Sequence, residues 1–265
     1  MKPAPFDYLA PRTIEEALGA LGEDARVLAG GQSLVPMMNF RLARPEMLVD
    51  VNRIPGLTYL RAGGGVLRIG ALTRLATLER SPLVAGRWPL LTQAVAHVGH
   101  PQIRTRGTVG GSVAHADPAA ELPAALMALD ARFHARSLRG PRTLAAGELF
   151  AGPYTTARAD DELLVEIEVP APAPGAGMAF AEHARTHGDF AIAGAAVVLA
   201  PGVRCAIALL GAGPAPRRAH GAERAAVAGA PPAEVGALAA DGIDDEHRRA
   251  LVAELVRRAL TEALR

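Results

Sequence analysis

Ala29-Gly30-Gly31-Gln32-Ser33 and Thr108-Val109-Gly110-Gly111-Ser112 are the two stretches on which the reading of this chain turns. Each holds an adjacent glycine pair and ends in a small hydroxyl residue. Such pairs let the backbone pass close to a ligand and reach positive φ without a Cβ penalty. Successive free N–H groups in such a turn form a concave anion site. Two of them, far apart in sequence, predict a diphosphate gripped from both sides, and so a dinucleotide held between two lobes. Arg104 and Arg106 precede the second turn and could offset phosphate charge. Ser33, Thr108 and Ser112 add hydroxyl donors. Neither turn carries G-x-G-x-x-G or G-x-x-x-x-G-K-[ST], so neither is a standard phosphate fingerprint.

Composition narrows the partners. A chain of 265 residues suits one large domain or two smaller ones. With 50% apolar and 21% charged residues it is globular, with material for a sizeable core. A net charge of +1, without a dense Lys/Arg block, argues against nucleic acid and membrane surfaces. Three tyrosines and one tryptophan argue against a base-stacking platform. Cys205 is the only cysteine, expected buried in an apolar run, and the chain is expected to be cytoplasmic. An iron–sulfur cluster of the usual kind takes four cysteines, so this chain cannot hold one alone. The N-terminus has no long apolar signal region, and no run reaches membrane-span length.

Thr13-Ile14-Glu15-Glu16 reads as a capping box opening a helix through Leu21. Ala25 to Ala29 reads as a strand leading into the first glycine turn. Leu34 to Leu42 has helical spacing, with Pro36 in its first turn and Pro45 as the stop. Met47 to Val51 reads as a strand, so the first fifty or so residues form a small αβαβ unit. Ala62-Gly63-Gly64-Gly65 is expected to be a hairpin loop with no ligand role. Helices are expected over Thr73 to Arg80, Pro89 to Val98 and Glu121 to Leu129, and a strand over Leu163 to Val169. Pro170-Ala171-Pro172-Ala173-Pro174-Gly175 marks a boundary by composition. Strands follow at Met178 to His183, Ile192 to Leu199 and Val203 to Leu210. Asp245 to Leu264 is expected to be a helix burying Leu251, Leu255, Leu264, Val252, Val256, Ala259 and Ala263.

Other candidate chemistry is sparse. His97, His100 and His115-Ala116-Asp117 raise a metal reading, but no cysteine joins them and no ligand spacing is met, so no metal is expected. Asp117 and Glu121 stand at the start of a helix. Their spacing fits dipole stabilisation and fits acceptance of hydrogen bonds from ribose hydroxyls, and both stay open. There is no G-x-S-x-G elbow, and no catalytic residue is singled out. Taken alone, the residues support binding of a phosphorylated dinucleotide.

Longer stretches carry a resemblance. Ala29-Gly30-Gly31-Gln32-Ser33-Leu34-Val35-Pro36-Met37-Met38 and Arg41-Leu42-Ala43-Arg44-Pro45 are followed by Ile69-Gly70-Ala71-Leu72-Thr73 and Ser81-Pro82-Leu83. Then come Ile103-Arg104-Thr105-Arg106-Gly107-Thr108-Val109-Gly110-Gly111-Ser112 and Ala114-His115-Ala116-Asp117-Pro118-Ala119-Ala120-Glu121-Leu122-Pro123. Leu164 to Pro170 and Gly188-Asp189-Phe190-Ala191 complete the order. Together these resemble the FAD-binding medium subunit of molybdenum hydroxylases, the family of carbon monoxide dehydrogenase and xanthine dehydrogenase, over essentially the whole chain.

The resemblance implies an α+β, two-lobed FAD-binding fold of the vanillyl-alcohol oxidase type. Residues 1–170 would form the FAD-binding domain, with lobes of roughly 1–55 and 56–170, and 171–265 a smaller C-terminal α+β domain with an antiparallel sheet. It implies that Ala29, Gly30, Gly31, Gln32, Ser33 and Leu34, with Thr108, Gly110, Gly111 and Ser112, surround the FAD pyrophosphate. Val98 and Ile103 would line the cofactor, and Asp117 or Glu121 would reach the ribose or adenine side. Val165 would lie near the flavin ring, with Phe190 in place of a frequent tyrosine. Glu182 stands where many members carry a lysine near the flavin, an exchange that disfavours an anionic reduced flavin. Thr105 and Ser112 replace frequent asparagines, and Arg185-Thr186-His187 lacks the usual arginine pair.

The implied function is electron transfer. The partners would be a molybdopterin-containing large subunit and an iron–sulfur small subunit, which the single cysteine accommodates. Electrons would leave this chain for an external acceptor: NAD, quinone or oxygen. The alternative is a stand-alone FAD-dependent oxidoreductase acting on a small organic substrate. A third reading is an assembly subunit without effective FAD binding, against which the intact glycine turns argue.

Overall fold

The structure is a computed structural model that describes residues 2–265. β1 (Asp7–Leu9), α1 (Ile14–Gly19), β2 (Ala25–Leu28), α2 (Leu34–Asn39) and β3 (Met47–Asp50) build its first unit. β3 lies between β1 and β2 and runs parallel to both. α1 starts where the capping residues place it. The Thr13 hydroxyl accepts from the Glu16 N–H at 3.1 Å, and the Glu16 carboxylate accepts from the Arg12 N–H at 2.8 Å, one residue ahead of the expected partner. Ala17, Leu18, Val49 and Val51 form a small core that also takes in Leu72 and Leu163 from later in the chain.

The second unit comprises β4 (Leu60–Gly63), β5 (Val66–Gly70), α3 (Leu75–Glu79), α4 (Pro82–Arg87), α5 (Pro89–His97), α6 (Pro101–Arg106), α7 (Val109–His115), α8 (Glu121–Ala128), β6 (Arg132–Ser137), β7 (Gly140–Ala145), α9 (Ala146–Leu149), β8 (Phe150–Gly152), β9 (Thr155–Thr156) and β10 (Leu163–Pro170). Its five-stranded antiparallel sheet has the order β4-β5-β10-β6-β7. The Gly63-Gly64-Gly65 cluster turns the β4–β5 hairpin, as expected, with Gly64 and Gly65 at positive φ. The β6–β7 hairpin is an addition to the expected elements. The alternation Arg132-Phe133-His134-Ala135-Arg136-Ser137 buries every second residue, a period-two signal. α4, α5 and α6 each begin with proline at the first turn, where its missing N–H costs nothing. Trp88, between α4 and α5, is fully buried and donates its indole N–H to Pro170 O at 2.9 Å, tying the helices to β10.

β11 (Gly177–His183), β12 (Ala193–Ala200), β13 (Arg204–Leu210), β14 (Arg217–Arg218), α10 (His220–Val227), α11 (Pro232–Ala239) and α12 (Glu246–Ala263) complete the chain. The four strands form an antiparallel sheet in sequence order. β12 is an unbroken apolar run because both its faces are covered. Ala196 and Val198 join the core of the second unit, whereas Ala195, Val197 and Leu199 pack with α12 residues such as Val252 and Val256. α12 buries Val252, Leu255, Val256, Ala259, Leu260 and Ala263. Leu264, expected on that face, is 54% exposed because the helix ends one residue earlier. Cys205 is buried on β13, and burial pushes its thiol up to about 12. Among the described residues, no helix is long and apolar enough to cross a membrane.

Candidate functional site

The two glycine stretches meet in space. Gly30 lies so close to the approach to α7 that a Cβ on it would stand 2.4 Å from Arg106 O and 2.8 Å from Gly107 Cα. Only glycine allows this backbone contact. Beside it opens a cavity of about 470 Å³, a size suited to a small-molecule ligand. Its walls come from all three units: Val27 and Gly30 to Leu34, then Leu72, Ile103 and Gly107 to Glu121 in part, then Gly188 to Phe190.

The two stretches differ in backbone chemistry. Gly31 has φ +72°, and no backbone N–H from Gly31 to Leu34 donates to another group among the described residues. These undonated N–H groups at the start of α2 belong to residues that line the cavity, the arrangement that binds an anion. The Ser33 hydroxyl makes no capping bond either. The second stretch is not a loop but the first turn of α7, so the expectation of a second turn of the same kind is corrected. Val109 N–H donates to Thr73 O at 2.9 Å, and Gly110 N–H to Ala71 O at 2.8 Å. Gly111 N–H is capped by Thr108 Oγ1 at 3.1 Å, and Ser112 N–H donates to Thr108 O at 3.0 Å. Its donors are spent holding α7 against Ala71 and Thr73. It offers a close smooth surface and the Thr108 and Ser112 side chains, since a Cβ on Gly111 would point between Thr108 Oγ1 at 2.7 Å and Ala29 Cβ at 3.9 Å.

A staple absent from the sequence reading holds the two together. Asn52 Nδ2 donates to Ala29 O at 2.8 Å. Arg74 donates to Asn52 Oδ1 at 2.9 Å and, through its other terminal nitrogen, to Arg106 O at 2.6 Å. The chain of bonds runs from the first stretch to the second. Arg104 is a further correction. Its guanidinium takes Glu79 at 2.8 and 3.1 Å and the carbonyls of Val98 and Gly99 at 3.1 Å each, so it shapes the cavity wall at Val98 rather than facing a phosphate. Neither Arg104 nor Arg106 lines the cavity; the arginines that do are Arg26 and Arg158, whose guanidinium groups are bound to nearby backbone carbonyls.

The cavity gathers most of the expected residues: Ala29 to Leu34, Val98, Ile103, Thr108, Gly110, Gly111, Ser112, Asp117, Glu121 and Phe190. Ala116, at φ +51°, ends α7 and turns the chain so that Asp117 comes back to the wall, where its carboxylate accepts from Ala119 N–H at 2.9 Å. Phe190 is 72% exposed at the rim. Val165 and Glu182 stand outside the lining. Val165 joins the core of the first unit, and its carbonyl accepts from Ala71 N–H at 3.0 Å. Glu182 meets His97 Nδ1 at 3.1 Å, a bond that raises His97 above the ordinary imidazole range. Burial pushes the Glu121 carboxyl up to about 8 and lowers His115.

The family described as FAD binding domain in molybdopterin dehydrogenase matches residues 4–172. The chain is 39% identical to the nicotine 6-hydroxylase medium subunit of Paenarthrobacter nicotinovorans, over 99% of each chain. It is 48% identical to subunit alpha of the 6-hydroxypseudooxynicotine dehydrogenase complex of the same organism, over 75% of this chain and 68% of that one. A solved carbon monoxide dehydrogenase from Hydrogenophaga pseudoflava, lacking the Mo-pyranopterin moiety of its cofactor, superposes with a TM-score of 0.93 at 41% identity, covering 100% of this chain and 99% of that one. Free N–H groups beside a largely apolar cavity fit a cofactor with a charged pyrophosphate and an apolar ring system. The chain therefore belongs to the family of FAD-binding domains of molybdopterin dehydrogenases, and is an oxidoreductase subunit whose cofactor is FAD.

Proposed function

We propose that this chain is the FAD-binding electron-transfer subunit of a molybdenum hydroxylase. It would take electrons from iron–sulfur clusters on a small partner chain and pass them to an external acceptor. Substrate would be oxidised on a molybdopterin-containing large chain. The observation that carries this reading is the meeting of the two glycine stretches over one cavity, with unspent N–H groups on one side. The FAD supplies the redox chemistry when bound, and the protein supplies binding and orientation. Gly31 to Leu34 would hold the pyrophosphate through backbone donors. Thr108 and Ser112 would add hydroxyl contacts, and Gly111 would let the cofactor approach α7. Val98 and Ile103 would pack along it and exclude water, with Phe190 at the rim. In this reading residues 1–170 form the FAD-binding domain, with lobes of roughly 1–55 and 56–170 in the vanillyl-alcohol oxidase manner, and 171–265 form the C-terminal domain. The match of the family over residues 4–172 supports that division.

The single cysteine fits the division of labour, since clusters must sit on another chain. The reading as a self-sufficient flavoenzyme drew on Glu182 and Phe190; Glu182 stands outside the cavity lining with one carboxylate oxygen bound to His97, while Phe190 lines the cavity. Native purification tests the proposal. The expected result is a flavin-loaded chain that co-purifies with a molybdopterin chain and a cysteine-rich chain. A flavin-loaded single chain that turns over an organic substrate without partners would contradict it.

A further inference from the structure

Two buried carboxyls, Glu121 in the cavity wall and Glu182 outside the lining, have one imidazole, His97, near them. Glu121, at the first turn of α8, lines the cavity and is only 7% exposed. Among the described residues it forms no ion pair, whereas Glu182 on β11 is 5% exposed at its side chain and pairs with His97. The second Glu182 oxygen, Oε2, is buried with no hydrogen-bond partner. His97, at the end of α5, and Glu182 both act on Glu121 through space.

The other charged groups around α8 do not relieve the imbalance. α7 and the loop after it bring His115 and Asp117. β13 and β14 bring Arg204 and Arg218, both bound to Asp130 at the far end of the helix. α9 brings Glu148, whose carboxylate accepts from Ala145 N–H, and β12 carries no titratable group. Arg26, Arg158, Glu162 and Asp189 line the same cavity. Burial disfavours the ionised form of a carboxyl, while the helix N-terminus favours it. Burial wins at Glu121, which is pushed up to about 8.

We propose that Glu121 faces the cofactor as a neutral carboxylic acid and donates a hydrogen bond to an acceptor atom of bound FAD, with the His97–Glu182 pair behind it. This rests on the FAD reading above. The sign follows from linkage: the binding form is the protonated one, present below the Glu121 pKa, so FAD affinity falls as pH rises through it. The fall approaches tenfold per pH unit, and binding on the alkaline side takes up a proton. Glu182 is a positioning residue in this scheme. Its charge holds the Glu121 proton in place from outside the cavity.

The test is calorimetric titration of the flavin-stripped full chain with FAD between about pH 6.5 and about pH 9, in two buffers of different ionisation heat. The wild type is expected to bind steadily at the acid end, to weaken above about 8 and to take up a proton there. Glu121→Gln keeps a neutral donor and should flatten the profile and abolish the uptake, while Glu121→Ala weakens binding at every pH. Glu182→Gln should shift the fall in affinity to lower pH. A wild type that binds FAD with a flat profile, or a Glu121→Gln variant that keeps the wild-type profile, overturns the inference and leaves the FAD site standing. A wild type that binds no FAD at any pH sinks both.

Discussion

The two glycine stretches look alike in sequence and are built for different tasks. Gly31 to Leu34 leave their N–H groups free beside the cavity, and Gly31 takes a positive φ to do so. Val109 to Ser112 have spent theirs on Thr73, Ala71 and Thr108. One stretch is a donor set; the other is a rigid floor whose lack of side chains permits close approach. Glycine therefore has several reasons within one site. Gly31 answers to φ, Gly30 to the backbone at Arg106, and Gly110 to Ala71, where a Cβ would stand 2.7 Å from the Ala71 Cβ. Only at Gly111 does the obstacle reduce to the hydroxyl of its own cap.

Gly30→Val should break the pairing outright. Its side chain meets backbone that cannot step aside, so the stretches must separate. Loss of FAD binding by about two orders of magnitude, with destabilisation of about 3 kcal/mol or more, is expected from flavin titration and denaturant unfolding. Arg74→Ala should act less strongly, because it removes the staple and leaves the contact. A loss of FAD affinity of at most about tenfold is expected, from the removal of two exposed hydrogen bonds worth about 0.5–1 kcal/mol each. Unchanged affinity would show that packing alone holds the stretches in register. Arg41→Gly should sharpen the account from the opposite direction. Arg41 follows α2 at φ +59°, with its N–H donating to Met38 O at 2.9 Å. Glycine there should stabilise the chain by about 1 kcal/mol in denaturant unfolding, with no change in FAD affinity.

What was legible in the sequence was local. The Thr13 cap, the β4–β5 glycine hairpin, the proline-started helix α5 and the apolar β12 each follow from neighbouring residues. The grouping of the two glycine stretches was legible too, whereas Val98, Ile103 and Phe190 were placed at the cavity only by the family resemblance. The long-range partners were not legible. Nothing near Arg104 in sequence announces Glu79, and nothing near Asn52 announces Arg74. Arg104 therefore read as able to offset phosphate charge, whereas its guanidinium is bound to Glu79 and to the carbonyls of Val98 and Gly99. Glu182, which the resemblance sets near the flavin, bonds His97 and lies outside the cavity lining, a pairing nothing near it in sequence announces. The glycine pair of α7 read as a turn because glycine is a poor helix former, and tertiary bonds to Ala71 and Thr73 overrode that propensity. The β6–β7 hairpin carried its alternation openly, but its pairing with β10 is set by residues far along the chain.

The division of labour between the stretches is tested most directly by titrating the flavin-stripped wild type, Gly31→Ala and Gly111→Ala with FAD and, separately, with riboflavin, which has no pyrophosphate. Gly31→Ala forces a Cβ onto a left-handed residue, at a cost of about 1–2 kcal/mol, and disturbs the donor set. It should lose FAD affinity by at least about tenfold while riboflavin affinity stays at the wild-type level. Gly111→Ala, which meets only the Thr108 hydroxyl, should weaken FAD less. Equal losses of FAD and riboflavin in Gly31→Ala, or no loss of either, would contradict the assignment of the first stretch as the pyrophosphate grip.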